Sequence, residues 1–265
     1  MSDVDFQLDN RNVHASTGSV AFDTAKPAVV FLHGAGMDHT VFALQTRYFA
    51  YRGRACLAVD FPGHGKSDGP ALATVEEMAD WVARALDALK VQNAALVGHS
   101  MGSMVALSCA ARHPEKVRAL GLIGTAMAMG VSPDLLNAAA ANDPAAFDMV
   151  NLWGFGARAG RGGAEAPGLW MTGAGARILA QSAPGVLAND LSACNAHGAI
   201  GENAAKVACP TLIVQGSRDM MTPLKSARAL AGAIKGARLA EIAGAGHMPM
   251  IEREEETRAA LATIL

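Results

Sequence analysis

Short apolar runs that end in glycine-rich turns govern what this chain can fold into. AVVFL at Ala28–Leu32 and ACLAV at Ala55–Val59 are unbroken and of strand length, as expected of strands covered on both faces. Further strands are expected at 94–97, 119–123, 211–214 and 239–242, with an opening hairpin across 4–20 that turns near Asn10, Arg11 and Asn12. Between them the pattern turns helical. Val75, Met78, Ala79, Val82, Leu86 and Leu89 recur at helical spacing behind Thr74, an N-cap that Glu77 completes as a capping box. Helices are also expected over 101–113, stopped before Pro114, and over 254–265. This succession implies an α/β fold, a mostly parallel eight-stranded sheet flanked by helices on both faces.

The rhythm breaks between 126 and 208, a stretch rich in Ala, Gly and Met that holds Trp153 and Trp170. A structureless loop of that length is foreign to a compact domain. Residues 126–208 are therefore expected to form a helical lid, with helical patches at 133–141 and 176–181, inserted into a core built from 1–125 and 209–265. With 265 residues, 51% of them hydrophobic, the chain can bury one large core.

PGHGKSDG, at 62–69, poses a choice. It resembles the end of a phosphate-binding loop and also fits G-x-S-x-G around Ser67, a pattern that recurs in GHSMG around Ser100. The phosphate-loop reading needs a glycine five positions before Gly65, where Asp60 stands. Ser67 is followed by Gly69 and Pro70, which cannot open a helix, so it reads as a loop residue. Ser100 stands between a predicted strand and a predicted helix, the context in which a strained turn lifts a serine oxygen clear of a sheet edge.

A bare G-x-S-x-G arises by chance in a chain with 28 glycines, so its partners decide. Serine needs a base, and the base needs a carboxylate to hold its tautomer. Asp219, in QGSRDMMTP, and His247, in GAGHMPMIE, each follow a predicted strand in the order Ser, Asp, His. Taken singly, the first reads as a turn aspartate and the second as a loop histidine; together they read as a catalytic set. The acids Asp134, Asp143, Asp148 and Asp190, and His197, fall in the lid and are poorer candidates. An oxyanion needs preorganised donors. The backbone N–H groups of Met101 and of Ala35, in the HGAG turn, are the candidates.

The net charge is −2 and the basic residues are scattered, which leaves no footprint for nucleic acid or an anionic membrane. The four cysteines show no C-x-x-C pairing and read as free thiols. The opening residues lack a basic start followed by an apolar run, and no apolar run is as long as a bilayer span. A soluble cytoplasmic protein with no membrane partner is the expectation.

With these residues in hand, the chain resembles the α/β-hydrolase superfamily through LHGAG, DFPGHGKSDG, VGHSMGSMVAL, VQGSRDMMTP and GAGHMPMIE. The resemblance implies the α/β-hydrolase fold, a Ser100–His247–Asp219 triad, no cofactor and no metal. It makes DFPGHGKSDG a structural loop. Serine at 100 separates the chain from haloalkane dehalogenase and epoxide hydrolase types, which carry aspartate there. Met37 and Met248 depart from the carbon–carbon bond hydrolases, and Ala35 from the cofactor-free haloperoxidases, so small carboxylesterase and enol-lactonase types look closest.

The expected function is hydrolysis of an ester, lactone or thioester, with water as second substrate and an acyl-Ser100 intermediate. A ligand-binding protein or receptor with negligible turnover is the alternative from another class. A carbon–carbon bond hydrolase or a haloperoxidase or perhydrolase is the alternative among enzymes. Substrate contacts are expected from Gly34, Trp153, Met127 and Met248, with Leu152, Phe155, Trp170 and Met129 adding to an apolar pocket. Arg158, Arg161 and Arg177 are available to an anionic substrate group.

Overall fold

A computed structural model describes residues 3–265. Eight strands form one sheet in the order β1-β2-β4-β3-β5-β6-β7-β8. They are β1 Val4–Leu8, β2 Arg11–Ser16, β3 Ala28–Leu32, β4 Ala55–Val59, β5 Ala94–His99, β6 Val117–Ile123, β7 Thr211–Gly216 and β8 Arg238–Ile242. β2 runs antiparallel to β1 and β4, and all other neighbours are parallel. The hairpin turns at Asp9 and Asn10, one residue earlier than the sequence reading placed it. Both adopt positive φ, 52° and 60°, which short polar side chains tolerate in tight hairpin turns.

The helices are α1 Ala43–Ala50, α2 Val75–Ala88, α3 Met101–Arg112, α4 Pro133–Ala140, α5 Ala145–Gly154, α6 Met171–Gln181, α7 Val186–Ala196, α8 Ile200–Lys206, α9 Leu224–Ala233, α10 Pro249–Glu252 and α11 Glu254–Ala262. Among the described residues no helix is long and apolar enough to cross a membrane.

The period of two along a strand decides which core each side chain enters. Ala28, Val30 and Leu32 of β3 join α2 and α3, whereas Val29 and Phe31 join α1 and α11. Thr74 caps α2 by accepting from Glu77 N at 3.1 Å, while the Glu77 carboxylate returns to Ala73 N rather than to Thr74. The closing helix expected over 254–265 is α11, ending at Ala262, and the short α10 precedes it.

The chain between β6 and β7 supplies α4 to α8. These helices differ in what they cover: Ile200 and Ala204 of α8 sit in the apolar cluster of α2 and α3, whereas Leu135, Val150 and Leu179 of α4, α5 and α6 pack in the cluster on the other side.

Ser67 has a structural task. Its Oγ donates to Asp60 O at 2.8 Å and accepts from His14 N at 3.0 Å, tying the loop after β4 to β2. Ser67→Ala removes both bonds and is expected to cost about 1–2 kcal/mol. A thermal melt should show a lower Tm, with the activity expected of Ser100 retained.

Candidate active site

Ser100 N-caps α3 with φ 51° and ψ −117°, a conformation an L-residue holds only under constraint and at a cost of about 1–3 kcal/mol. Glycine on either side supplies the constraint. A Cβ on Gly98 would lie 2.1 Å from Gly102 O, and one on Gly102 would lie 2.1 Å from Leu32 O. Only side-chain-free backbone lets α3 start this close to β3 and β5. Ser100 N donates to Ile123 O at 2.9 Å and Ser103 Oγ to Ser100 O at 2.6 Å, which fixes the turn.

Asp219 and His247 follow β7 and β8. His247 Nδ1 lies 2.8 Å from Asp219 Oδ2, both side chains being buried. Asp219 also accepts from Gln215 Nε2, Thr222 Oγ1 and the N–H groups of Met221 and Thr222. Burial drives the Asp219 pKa upward, but the charge and hydrogen bond of His247, together with Thr222, hold it below the usual carboxylate value. An ionised Asp219 keeps the proton of a neutral His247 on Nδ1 and leaves Nε2 as the basic atom. His247 Nε2 is buried without a hydrogen-bond partner, and His247 and Ser100 border the same cavity.

The cavity measures about 320 Å³, the low end for small-molecule sites. Ala35, Met129, Val131, Leu135, Trp153 and Met248 are among its walls, and among the described residues no Asp, Glu, Lys or Arg borders it. Met101 is the first residue of α3, so its N–H has no partner within the helix.

Several other residues singled out in the sequence lie away from the cavity. Met127 lies outside the cavity wall, because its N–H is held by Ser226 Oγ at 3.1 Å and its side chain packs against the core of α2 and α3. Gly34 does not border the cavity either; its α-carbon backs onto the His99 ring instead. Leu152 and Trp170 are 73% and 72% exposed, and Arg158, Arg161 and Arg177 face solvent. His197 is bound to Glu76 at 2.8 Å, away from the cavity.

Other residues were missed. His99 is fully buried against the His247 ring and donates through Nε2 to His247 O at 3.0 Å; burial, then the His247 charge, brings its pKa down to about 3. Glu252 accepts from Gly246 N and Gly156 N, both at 2.9 Å, so one carboxylate holds the His247 loop and the end of α5 together. Burial raises its pKa. His247 N adds a bond to Gly154 O at 2.8 Å. Asp190 of α7, wholly buried, accepts from Gly36 N at 2.8 Å and from His64 Nε2 at 2.7 Å, pinning the turn that carries Ala35. Spacing along the chain carries no signal for these last two acids, whose partners are backbone groups or a distant histidine.

The fold and the strand-turn-helix serine define an α/β hydrolase. The chain matches the alpha/beta hydrolase family over residues 29–260 and belongs to it. It is 33% identical over 253 residues to a pimeloyl-acyl-carrier-protein methyl ester esterase of Chromobacterium violaceum, covering 89% of this chain and 93% of that one. Among solved structures it is similar to Est816, described as an N-acyl homoserine lactone degrading enzyme, with TM-score 0.83, 28% identity and coverage of 99% and 100%. The enol-lactonase from Burkholderia xenovorans LB400 shares the fold at TM-score 0.87, 24% identity and 98% coverage of both chains.

The Asp190–His64 pair generates a stability prediction. Burial opposes charge on His64, but the hydrogen bond and charge of Asp190 raise its pKa above the ordinary histidine value. A raised native pKa gives stability that is fully present below the unfolded value of about 6.5 and is lost as pH rises through the native pKa. Asp190→Asn can keep both hydrogen bonds while removing the charge. Tm measured from pH 6 to pH 9 should fall more steeply in the wild type than in Asp190→Asn.

Proposed function

We propose that the protein is a serine hydrolase that cleaves a carboxylic ester, or the related lactone or thioester, of a small to medium, largely apolar substrate. The observation that supports this reading is that a strained Ser100 and the partnerless Nε2 of His247, itself paired with Asp219, border one largely apolar cavity. The esterase and lactonase relatives support the same bond class.

Ser100 Oγ attacks the carbonyl carbon as His247 Nε2 takes its proton, giving a tetrahedral oxyanion and an imidazolium. The N–H groups of Met101 and Ala35 receive the oxyanion. Asp219 stabilises the imidazolium through Nδ1–H, and Nε2 then returns the proton to the leaving oxygen as the carbon–oxygen bond breaks. Water repeats the sequence on the acyl-Ser100 ester, releasing the acid and restoring the serine. Acyl transfer of this kind needs no cofactor. Residues 126–208 act as the lid, with Leu135, Val150, Trp153 and Leu187 of α4, α5 and α7 forming the cavity roof.

The walls also set the substrate class. A carboxylate on the acyl part would lose its hydration with no cation to meet it, a penalty of several kcal/mol. Turnover of p-nitrophenyl butyrate should fall by on the order of 10⁴-fold in Ser100→Ala; equal rates would overturn the serine mechanism. The p-nitrophenyl monoester of succinic acid should show kcat/KM lower than the butyrate by about 100-fold; comparable values would remove the neutral-acyl assignment alone.

A further inference from the structure

Away from the cavity, three residues distant in sequence converge behind the turn that follows β3. His14 lies on β2, His39 opens the short 3₁₀ turn at His39–Phe42, and Asp60 follows β4. One donor atom from each lies within 4.8 Å of the others. The side chains are 4%, 14% and 0% exposed. We infer that His14, His39 and Asp60 form a binding site for one divalent transition-metal ion of the Zn²⁺ class.

The orientation of His14 is the first argument. Its Nδ1 lies 2.8 Å from Asp5 Oδ1, which places the ring proton on Nδ1. Nε2 is left as a lone pair, buried and without a hydrogen-bond partner. A carboxylate behind the distal nitrogen of a histidine is the arrangement that orients and strengthens metal-ligating imidazoles. A buried acceptor with nothing to accept is otherwise unfavourable.

Geometry is the second. His39 Nδ1 stands 2.9 Å from both oxygens of Asp60. With metal–ligand bonds of about 2.1 Å at tetrahedral angles, any two donors lie about 3.4 Å apart. The His39 and Asp60 atoms would open by about 0.5 Å to reach that spacing, and the three donors, all within 4.8 Å of one another, would close around the ion. On binding, the His39 proton moves from Nδ1 to Nε2, so a neutral ring releases no proton and an imidazolium releases one.

Charge is the third. Asp3 Oδ2 lies 4.0 Å from His14 Nε2, Asp5 pairs with its Nδ1, and Asp38 and Asp60 act on His39 against Lys66. Two imidazoles and a carboxylate suit zinc better than magnesium or calcium, which prefer all-oxygen sites. The ion would cross-link β2, the 3₁₀ turn and the end of β4, and so stabilise the support of the Gly34–Met37 turn.

The test is titration of the chelator-treated full chain with ZnCl₂ by calorimetry, alongside thermal melts. One ion per chain and a raised Tm are expected. Affinity should drop at least about 10-fold in His14→Ala and about 10- to 100-fold in Asp5→Asn, whose acid is exposed. His197→Ala should bind like the wild type. The inference is overturned if Asp5→Asn and wild type bind Zn²⁺ equally, if wild type binds none, or if the tight ion is lost only in His247→Ala.

Discussion

Backbone packed directly on backbone is the constraint from which the rest of this site follows. Gly98 and Gly102 let the first turn of α3 rest against Leu32 and the end of β5 with no side chain between. Any Cβ there would push the helix off the sheet, and Ser100 would relax out of its positive-φ conformation. The strain is thus held by a contact that involves the sheet centre, where β3 and β5 pair along their whole length. Interior packing is stiff enough to sustain it.

Around that contact, three buried carboxylates each join segments that the chain separates. Asp219 gathers the β7 turn around His247, Glu252 clasps the His247 loop to the end of α5, and Asp190 fastens α7 to Gly36 and His64. Each is satisfied mainly by backbone N–H groups or by imidazole, which offsets the loss of hydration where water is excluded. Two of the three run between the sheet and the helices inserted between β6 and β7. The roof of the cavity and its floor are therefore linked by directional bonds as well as by apolar contact.

The strands were legible because residues buried on both faces must be apolar, and nothing but a covered parallel sheet accepts AVVFL or ACLAV in succession. Ser100, Asp219 and His247 could be singled out because each stands within a few residues of a strand end, so short-range pattern points to them. The inserted helices were legible in part: the patches expected at 133–141 and 176–181 fall on α4 and α6, but which faces they turn inward was not. Tryptophan and methionine there read as pocket residues, yet Trp170 reaches solvent and Met127 enters the core, while Trp153 and Met129 border the cavity. Composition reports that a segment is apolar and says nothing of which way a helix is turned. Glu252 illustrates the other blind spot: it precedes the acidic run 254–256 and looks solvated, although its two oxygens are fully engaged indoors.

The histidines show how one residue type is divided among roles by its surroundings. His33 and His99 are fully buried, and burial first, then a neighbouring histidine, lowers them to about 4 and about 3. Both remain uncharged near neutrality and serve as fixed donors and acceptors: His33 takes Phe61 N–H on Nε2, and His99 gives its proton to His247 O. His64 meets Asp190 and moves the opposite way. His247 alone combines a carboxylate on one nitrogen with a partnerless second nitrogen at the cavity wall. In the proposed reaction this matters because a cationic His99 beside His247 would oppose formation of the imidazolium. Its neutrality leaves Asp219 as the dominant electrostatic influence on the base, and the apolar wall strengthens that influence by excluding water.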